Sequence, residues 1–233
     1  MIIAFEGIDG AGKNTCVSAL EAELLSREIP VARVAFPRYE QSVHAQLAAA
    51  ALHGEMGDLV DSVHGMATLF ALDRAEVAAD LADFDADGYV VLLDRYVASN
   101  AAYSAARQGV DGSDAAASEV VQWVDDLEFT DLGCPVPDVQ VLVDVPDDVA
   151  SGRVSRRAES DDTRAADAYE RDGGLQARTL EAYRGLAAAQ WRSPWWTLDN
   201  SGDPADLEDA VSTFVDTVVL GGDGAGDGAV DGA

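Results

Sequence analysis

The sequence predicts an α/β fold, with a parallel sheet of about five strands and helices on both faces. Two observations carry this. Short apolar runs alternate along the chain with stretches of helical spacing. One of them, "YVVLLDRY", is apolar without interruption up to Asp94, the pattern of a strand covered on both faces. No linker breaks the alternation, so one domain is expected over residues 1–220.

The elements follow in order. "IIAFEG" reads as a buried strand ending in glycine. "KNTCVSALEAELLSRE" follows with Val17, Leu20, Leu24 and Leu25 at helical spacing, and Pro30 ends it. "VARVAF" is the second strand. After the polar turn "PRYEQS", an Ala-rich helical region runs to about residue 85, broken near "HGEMGDLVDS". "VASNAAYSAARQG" continues the third strand into a helix, and another helix covers residues 115–129. "VQVLVDV", an arginine-bearing segment, a helix, the short strand "WWTLDN" and a closing helix complete the domain. The final "GGDGAGDGAVDGA" cannot bury apolar surface, so residues 221–233 are expected to be disordered.

Composition narrows the function. The 233 residues are 48% hydrophobic and carry a net charge of −28. Neither a signal peptide nor a membrane-length apolar run is seen, so a cytoplasmic protein is expected. Cys16 and Cys134 lie far apart, which suits a reducing compartment and offers no zinc pair. So acidic a surface repels polyanions, and no nucleic-acid partner is expected. Lys13 is the only lysine. Any protein this acidic that binds nucleotides must gather its cations locally.

Four groupings can carry chemistry. "GIDGAGKN" nearly matches the phosphate-binding pattern G-x-x-x-x-G-K-[ST], with Gly7, Gly10, Ala11, Gly12 and Lys13 placed between strand and helix. There the backbone N–H groups cradle phosphates at a helix N-terminus and Lys13 reaches them. Asn14 stands where a magnesium-binding hydroxyl is usual. Thr15 is rotated about 100° from that direction and suits the donor's α-phosphate.

The second grouping is Asp94-Arg95 at a strand tip, where α/β sheets bind ligands: a carboxylate for magnesium and a fork for phosphate. The third is Phe70 with Arg74, and Asn100 with Tyr103, pairs that share helix faces and can stack on and hydrogen-bond a base. The fourth is the cluster Arg153, Arg156, Arg157 and Arg164, cations for phosphoryl transfer on a closing segment. Each also has a plainer reading, as a chance turn, a solvated pair, core packing or charge balance.

Together, "FEGIDGAGK", "FPRY", "MATLFALDRA", "LLDRYVASNAAYSAA" and "AYERD" resemble the thymidylate kinases among the P-loop nucleoside monophosphate kinases, over residues 1–190 and closest to actinobacterial members. The resemblance implies a three-layer P-loop fold with a mobile arginine-bearing lid at about 153–167. It implies transfer of the γ-phosphate of ATP to dTMP, for dTTP synthesis, with Mg2+ and as a homodimer.

By that resemblance, residues 9–15 and Lys13 hold ATP, and Phe70 stacks on thymine. Arg74 and Asn100 bond its edge, and Tyr103 crowds the sugar's 2′ position. Arg95, Tyr39 and the backbone near Phe36 hold the acceptor phosphate, with Asp9 beside it. Arg153, Arg157 and Arg164 match the lid's basic positions, while Asp9 and Glu170 match metal-associated acids with Asp94 nearby. Some members carry a catalytic arginine where Gly10 stands; lacking it, this chain is expected to use Arg157, with Arg153 next. Rival readings are a kinase of another nucleoside monophosphate or of a nucleoside, and a P-loop regulatory ATPase.

Overall fold

The computed structural model describes residues 1–160, 168–171, 173–202 and 204–221, with the main chain alone at 147, 155, 157–160, 170, 171, 173 and 204. Residues 161–167, which include Arg164, and the tail from 222 lie outside the described residues, as do the side chains of Arg157 and Glu170.

Five strands, β1 (Ile2–Glu6), β2 (Val31–Ala35), β3 (Val90–Asp94), β4 (Val139–Asp144) and β5 (Trp195–Asp199), form one parallel sheet in the order β2-β3-β1-β4-β5. β1 is buried along its whole length, and β3 is buried up to Asp94. Such strands need helices on both faces. The polar Gln140 is tolerated inside β4 because its Nε2 donates to Trp191 O (2.7 Å) and Ser193 Oγ (3.1 Å).

The helices are α1 (Lys13–Ser26), α2 (Val43–Leu52), α3 (Val63–Ala75), α4 (Ala78–Ala86), α5 (Val97–Gln108), α6 (Glu119–Asp125), α7 (Asp147–Ser160), α8 (Ala168–Arg171), α9 (Gly173–Ala188) and α10 (Pro204–Phe214). Ser42 and Ser62 cap α2 and α3, their hydroxyls accepting from Ala45 N and Gly65 N. The chain leaves β1 leftward to β2 and later crosses over β1 to reach β4. The carboxyl ends of β1 and β3 therefore face the crevice where such sheets bind ligands.

Two boundaries differ from the sequence pattern. The helical region before residue 85 breaks a second time, between α3 and α4. Arg38 Nη2 donates to Asp73 O (2.7 Å), taking a carbonyl from the helix ladder, and Val77 N turns to Arg74 O instead (3.2 Å). The single helix expected over 115–129 is three pieces: a 3₁₀ turn (Gly112–Ala117), α6 capped by Ser118, and a π-helical turn (Asp126–Asp131).

Candidate active site

The loop between β1 and α1 is wound as the glycines allow. Gly10 and Gly12 adopt φ of +82° and +92°, conformations that cost side-chain-bearing residues strain. Lys13 is buried, and its Nζ donates to two carbonyls of the same loop, Gly7 O (3.0 Å) and Ile8 O (2.9 Å). Burial, with the Arg95 charge beside it, lowers the Lys13 ammonium to about 8.

The loop is braced from the far side of the sheet. Asn200, just past β5, donates from Nδ2 to Ala11 O (2.8 Å). Arg153 on α7 donates to the same carbonyl (3.2 Å) and to Asn200 O (2.7 Å). One predicted lid arginine thus already touches the loop. Arg156 turns back to its own helix at Gly152 O (3.1 Å). Asn14 is exposed, and its Oδ1 accepts from Arg33 Nη2 on β2. The one side-chain oxygen at the position of the usual magnesium-binding hydroxyl is therefore already in use.

Across the crevice, Arg95 sits at φ +66°, a left-handed conformation that a non-glycine residue keeps only when its surroundings hold it there. Glu6, fully buried at the end of β1, supplies the hold: its carboxylate accepts from Tyr96 N (2.9 Å) and Ser99 Oγ (2.6 Å). Burial raises the Glu6 carboxyl above its usual value. So fixed, Arg95 donates from Nη2 to Asp9 Oδ1 (2.6 Å) and from Nη1 to Gly7 O (3.0 Å).

Tyr103 OH donates to Asp9 Oδ2 (3.2 Å), and the Tyr103 ring lies under the Arg95 guanidinium at 5.6 Å. Burial alone would raise the Asp9 carboxyl, but the Arg95 and Lys13 charges override it and hold it well below the usual carboxylate range. Asp94 ends β3 close enough to act electrostatically on Lys13.

Beside this cluster opens a cavity of about 220 Å³. Every described residue of the expected acceptor set lines it: Asp9, Phe36, Tyr39, Phe70, Arg74, Arg95, Asn100 and Tyr103. The helix spacings bring the aromatic and polar residues together because α3 and α5 pack side by side. Yet Arg74 is not free to serve a ligand alone. It is 3% exposed and forms a two-point pair with Glu128, and Asn100 Nδ2 donates to the same carboxylate.

The sequence pattern missed Glu128, Glu6 and Asn200. It also missed Tyr169, which stacks on Tyr103 at 5.8 Å while accepting from Arg107 Nη1 (2.6 Å). Glu6 and Tyr169 stood inside stretches that carry the resemblance, "FEGIDGAGK" and "AYERD"; Glu128 and Asn200 did not.

A phosphate-binding loop with its buried lysine, whose Asp9 carboxylate lines a pocket with an aromatic platform and paired amide and guanidinium, defines a P-loop kinase of small nucleotide acceptors. The comparisons name the family. Residues 5–185 match the thymidylate kinase family. A thymidylate kinase of Mycobacterium tuberculosis is 50% identical over 207 residues, 89% of this chain and 95% of the relative. One of Akkermansia muciniphila is 36% identical over 76% of this chain and 74% of its own, and a probable one of Pyrobaculum aerophilum 30% over 93% and 97%. The chain belongs to the thymidylate kinase family.

Proposed function

We propose that the protein transfers the γ-phosphoryl group of ATP to dTMP, giving dTDP and ADP. The observation that carries this is the Asp9–Arg95 pair, which joins the phosphate loop to a cavity holding Phe70, Arg74, Asn100 and Tyr103. In this reading residues 7–15 and Lys13 take the donor phosphates, Lys13 exchanging its carbonyl partners for phosphate oxygens. Arg95, Tyr39 and the backbone at Phe36 take the acceptor phosphate, Phe70 stacks on the base, and Arg74 and Asn100 read its edge. Tyr103 closes on the sugar. Arg153 and Arg157, with Arg164, supply cations to the charge that develops in transit. The acceptor is already an anionic oxygen, so no general base is assigned.

Magnesium suits the site. Among the described residues, no three His, Cys, Asp or Glu gather into a metal cage. Magnesium carried on nucleotide phosphates needs only one or two carboxylates. Asp9, kept ionised by its cations, fits that role, with Asp94 and Glu170 as further donors. When bound, the ion neutralises charge on the transferring phosphates.

The same reading includes a cytoplasmic homodimer. Exposed Val43 and Leu47 share one face of α2 and support it. No described helix is long and apolar enough to cross a membrane.

The test is ADP release with dTMP, dUMP, UMP, CMP, AMP and thymidine as acceptors. dTMP should give the highest kcat/KM. Another acceptor in first place overturns the substrate, and ATP hydrolysis indifferent to every acceptor points to a regulatory ATPase instead.

A further inference from the structure

The base-side pair Arg74 and Asn100 is held by a third residue that does not itself line the cavity, Glu128. Its carboxylate is 0% exposed. Oε1 accepts from Arg74 Nη2 (2.7 Å) and from Asn100 Nδ2 (2.7 Å), while Oε2 accepts from Arg74 Nε. The π-helical turn puts it there, widening the chain after α6 just where Glu128 turns inward; its own carbonyl then accepts from Cys134 N (2.9 Å).

This arrangement settles which atoms remain for a base. The second hydrogen of Asn100 Nδ2 goes to Ala67 O (3.0 Å). Both partners of that amide nitrogen are acceptors, so the amide cannot be turned over, and Oδ1 is left as the atom for the cavity. On Arg74 the Nε–Nη2 edge is spent on Glu128, and Nη1 has no partner among the described residues. The pocket therefore presents one donor and one acceptor side by side. A pyrimidine with a 4-oxo group and an N3–H matches them. Cytosine, with a 4-amino donor and a bare N3, opposes both.

We propose that Glu128 is the positioning residue that sets this polarity, and so makes the acceptor site select 4-oxo over 4-amino pyrimidines. The proposal rests on the reading that this cavity takes dTMP. A neutral residue at 128 would leave the Arg74 guanidinium buried without its counter-charge and would no longer demand an N–H from Asn100.

The experiment compares wild type with Glu128→Gln, which keeps the shape but replaces one acceptor by a donor. kcat/KM is measured for dTMP and dCMP, with KM for ATP alongside. The dTMP-to-dCMP ratio should fall about tenfold or more, chiefly through KM for dTMP, with KM for ATP changed less than about twofold. Equal losses for both acceptors would mean that Glu128 only supports the fold, and the proposal is then wrong; an unchanged ratio also overturns it.

Wild type inactive on dTMP removes the function reading itself, a result distinct from either of these. Should the variant not fold, wild type supplies the second arm by calorimetry. 5-Methyl-dCMP keeps the ring, methyl and sugar of dTMP but inverts the edge, and it should bind at least about 100-fold more weakly. Comparable binding overturns the assigned polarity.

Discussion

Gly10 is closed to any side chain, and that closure can be measured. A Cβ built there would lie 2.3 Å from Ala150 O and 3.0 Å from Val154 Cγ2, so α7 itself would have to move. Two costs add. The left-handed φ of +82° costs an L-residue roughly 1–2 kcal/mol. Overpacking against a helix backbone costs roughly 1–3 kcal/mol more. Gly88 separates the two, because it has the same φ of +82° with nothing within 4 Å of its Cβ position.

In a chain of this size, at about 2–4 °C per kcal/mol, Gly88→Ala should lower Tm by roughly 2–8 °C and Gly10→Ala by roughly 4–20 °C. Displacing α7 also moves Arg153 off Ala11 O, so only the Gly10 variant should raise KM for ATP. The assay is thermal unfolding of both variants with ATP saturation curves. Equal Tm losses, or an unchanged KM for ATP in Gly10→Ala, would refute the steric argument. If it holds, an arginine at position 10 is barred in this chain, and the cations for transfer must come from α7 and beyond.

Three further outcomes follow from the site. Lys13 titrates near 8 in the free protein and binds phosphate as its ammonium form, so kcat/KM for ATP should be full below that pH and drop about tenfold per unit above it. A pH profile flat to 9.5, or an alkaline limb that survives in an active Lys13→Arg, counts against this. Asn14→Ala should shift the magnesium concentration for half-activity less than about twofold, since Arg33 already occupies Asn14 Oδ1, while Asp9→Asn should raise it about tenfold or more. Magnesium titrations giving the reverse ranking would move the metal to Asn14. Tyr103→Phe removes one hydrogen bond to Asp9 and should narrow the preference for dTMP over its ribose counterpart by roughly 2–10-fold. An unchanged preference would leave the ring alone as the selector.

What the sequence made legible was whatever is local along the chain. Strand, glycine turn and helix fall within residues 2–26, and the pairs Phe70–Arg74 and Asn100–Tyr103 are one helical turn apart, so periodicity finds them. Glu128 is 54 residues from Arg74 and 28 from Asn100, and it stands in "WVDDLEFTD" among acids that pattern as a solvated face. Only the π-helical turn, which no periodicity announces, separates it from them. Glu6 reads as the end of an apolar strand; that it fixes the Arg95 backbone depends on β3 lying beside β1 in register. Asn200 is likewise invisible until β5 is brought to the loop by pairing with β4. Pattern found residues that line the cavity, and tertiary pairing supplied those that hold them.

The supporting residues also explain how so acidic a chain can take two anionic nucleotides. A net charge of −28 repels phosphate at long range, but charges on the surface are screened beyond about 8 Å at physiological salt. At contact the balance depends on a few cations whose positions are fixed before any ligand arrives. Arg95 is set by Asp9 and the Gly7 carbonyl, Arg153 by Ala11 and Asn200, and Lys13 by its own loop. Buried cations act through a lower dielectric than the exposed acids around them, so each outweighs several surface carboxylates at the phosphate. Their internal partners prevent a cost that bare burial would impose. Carbonyl and carboxylate partners are also exchangeable: a phosphate oxygen can replace Gly7 O at Lys13 without the ammonium ever becoming a naked buried charge. Selectivity for anions in this fold is therefore a property of how its few cations are held, and the surface charge can drift far to the acid side without abolishing it.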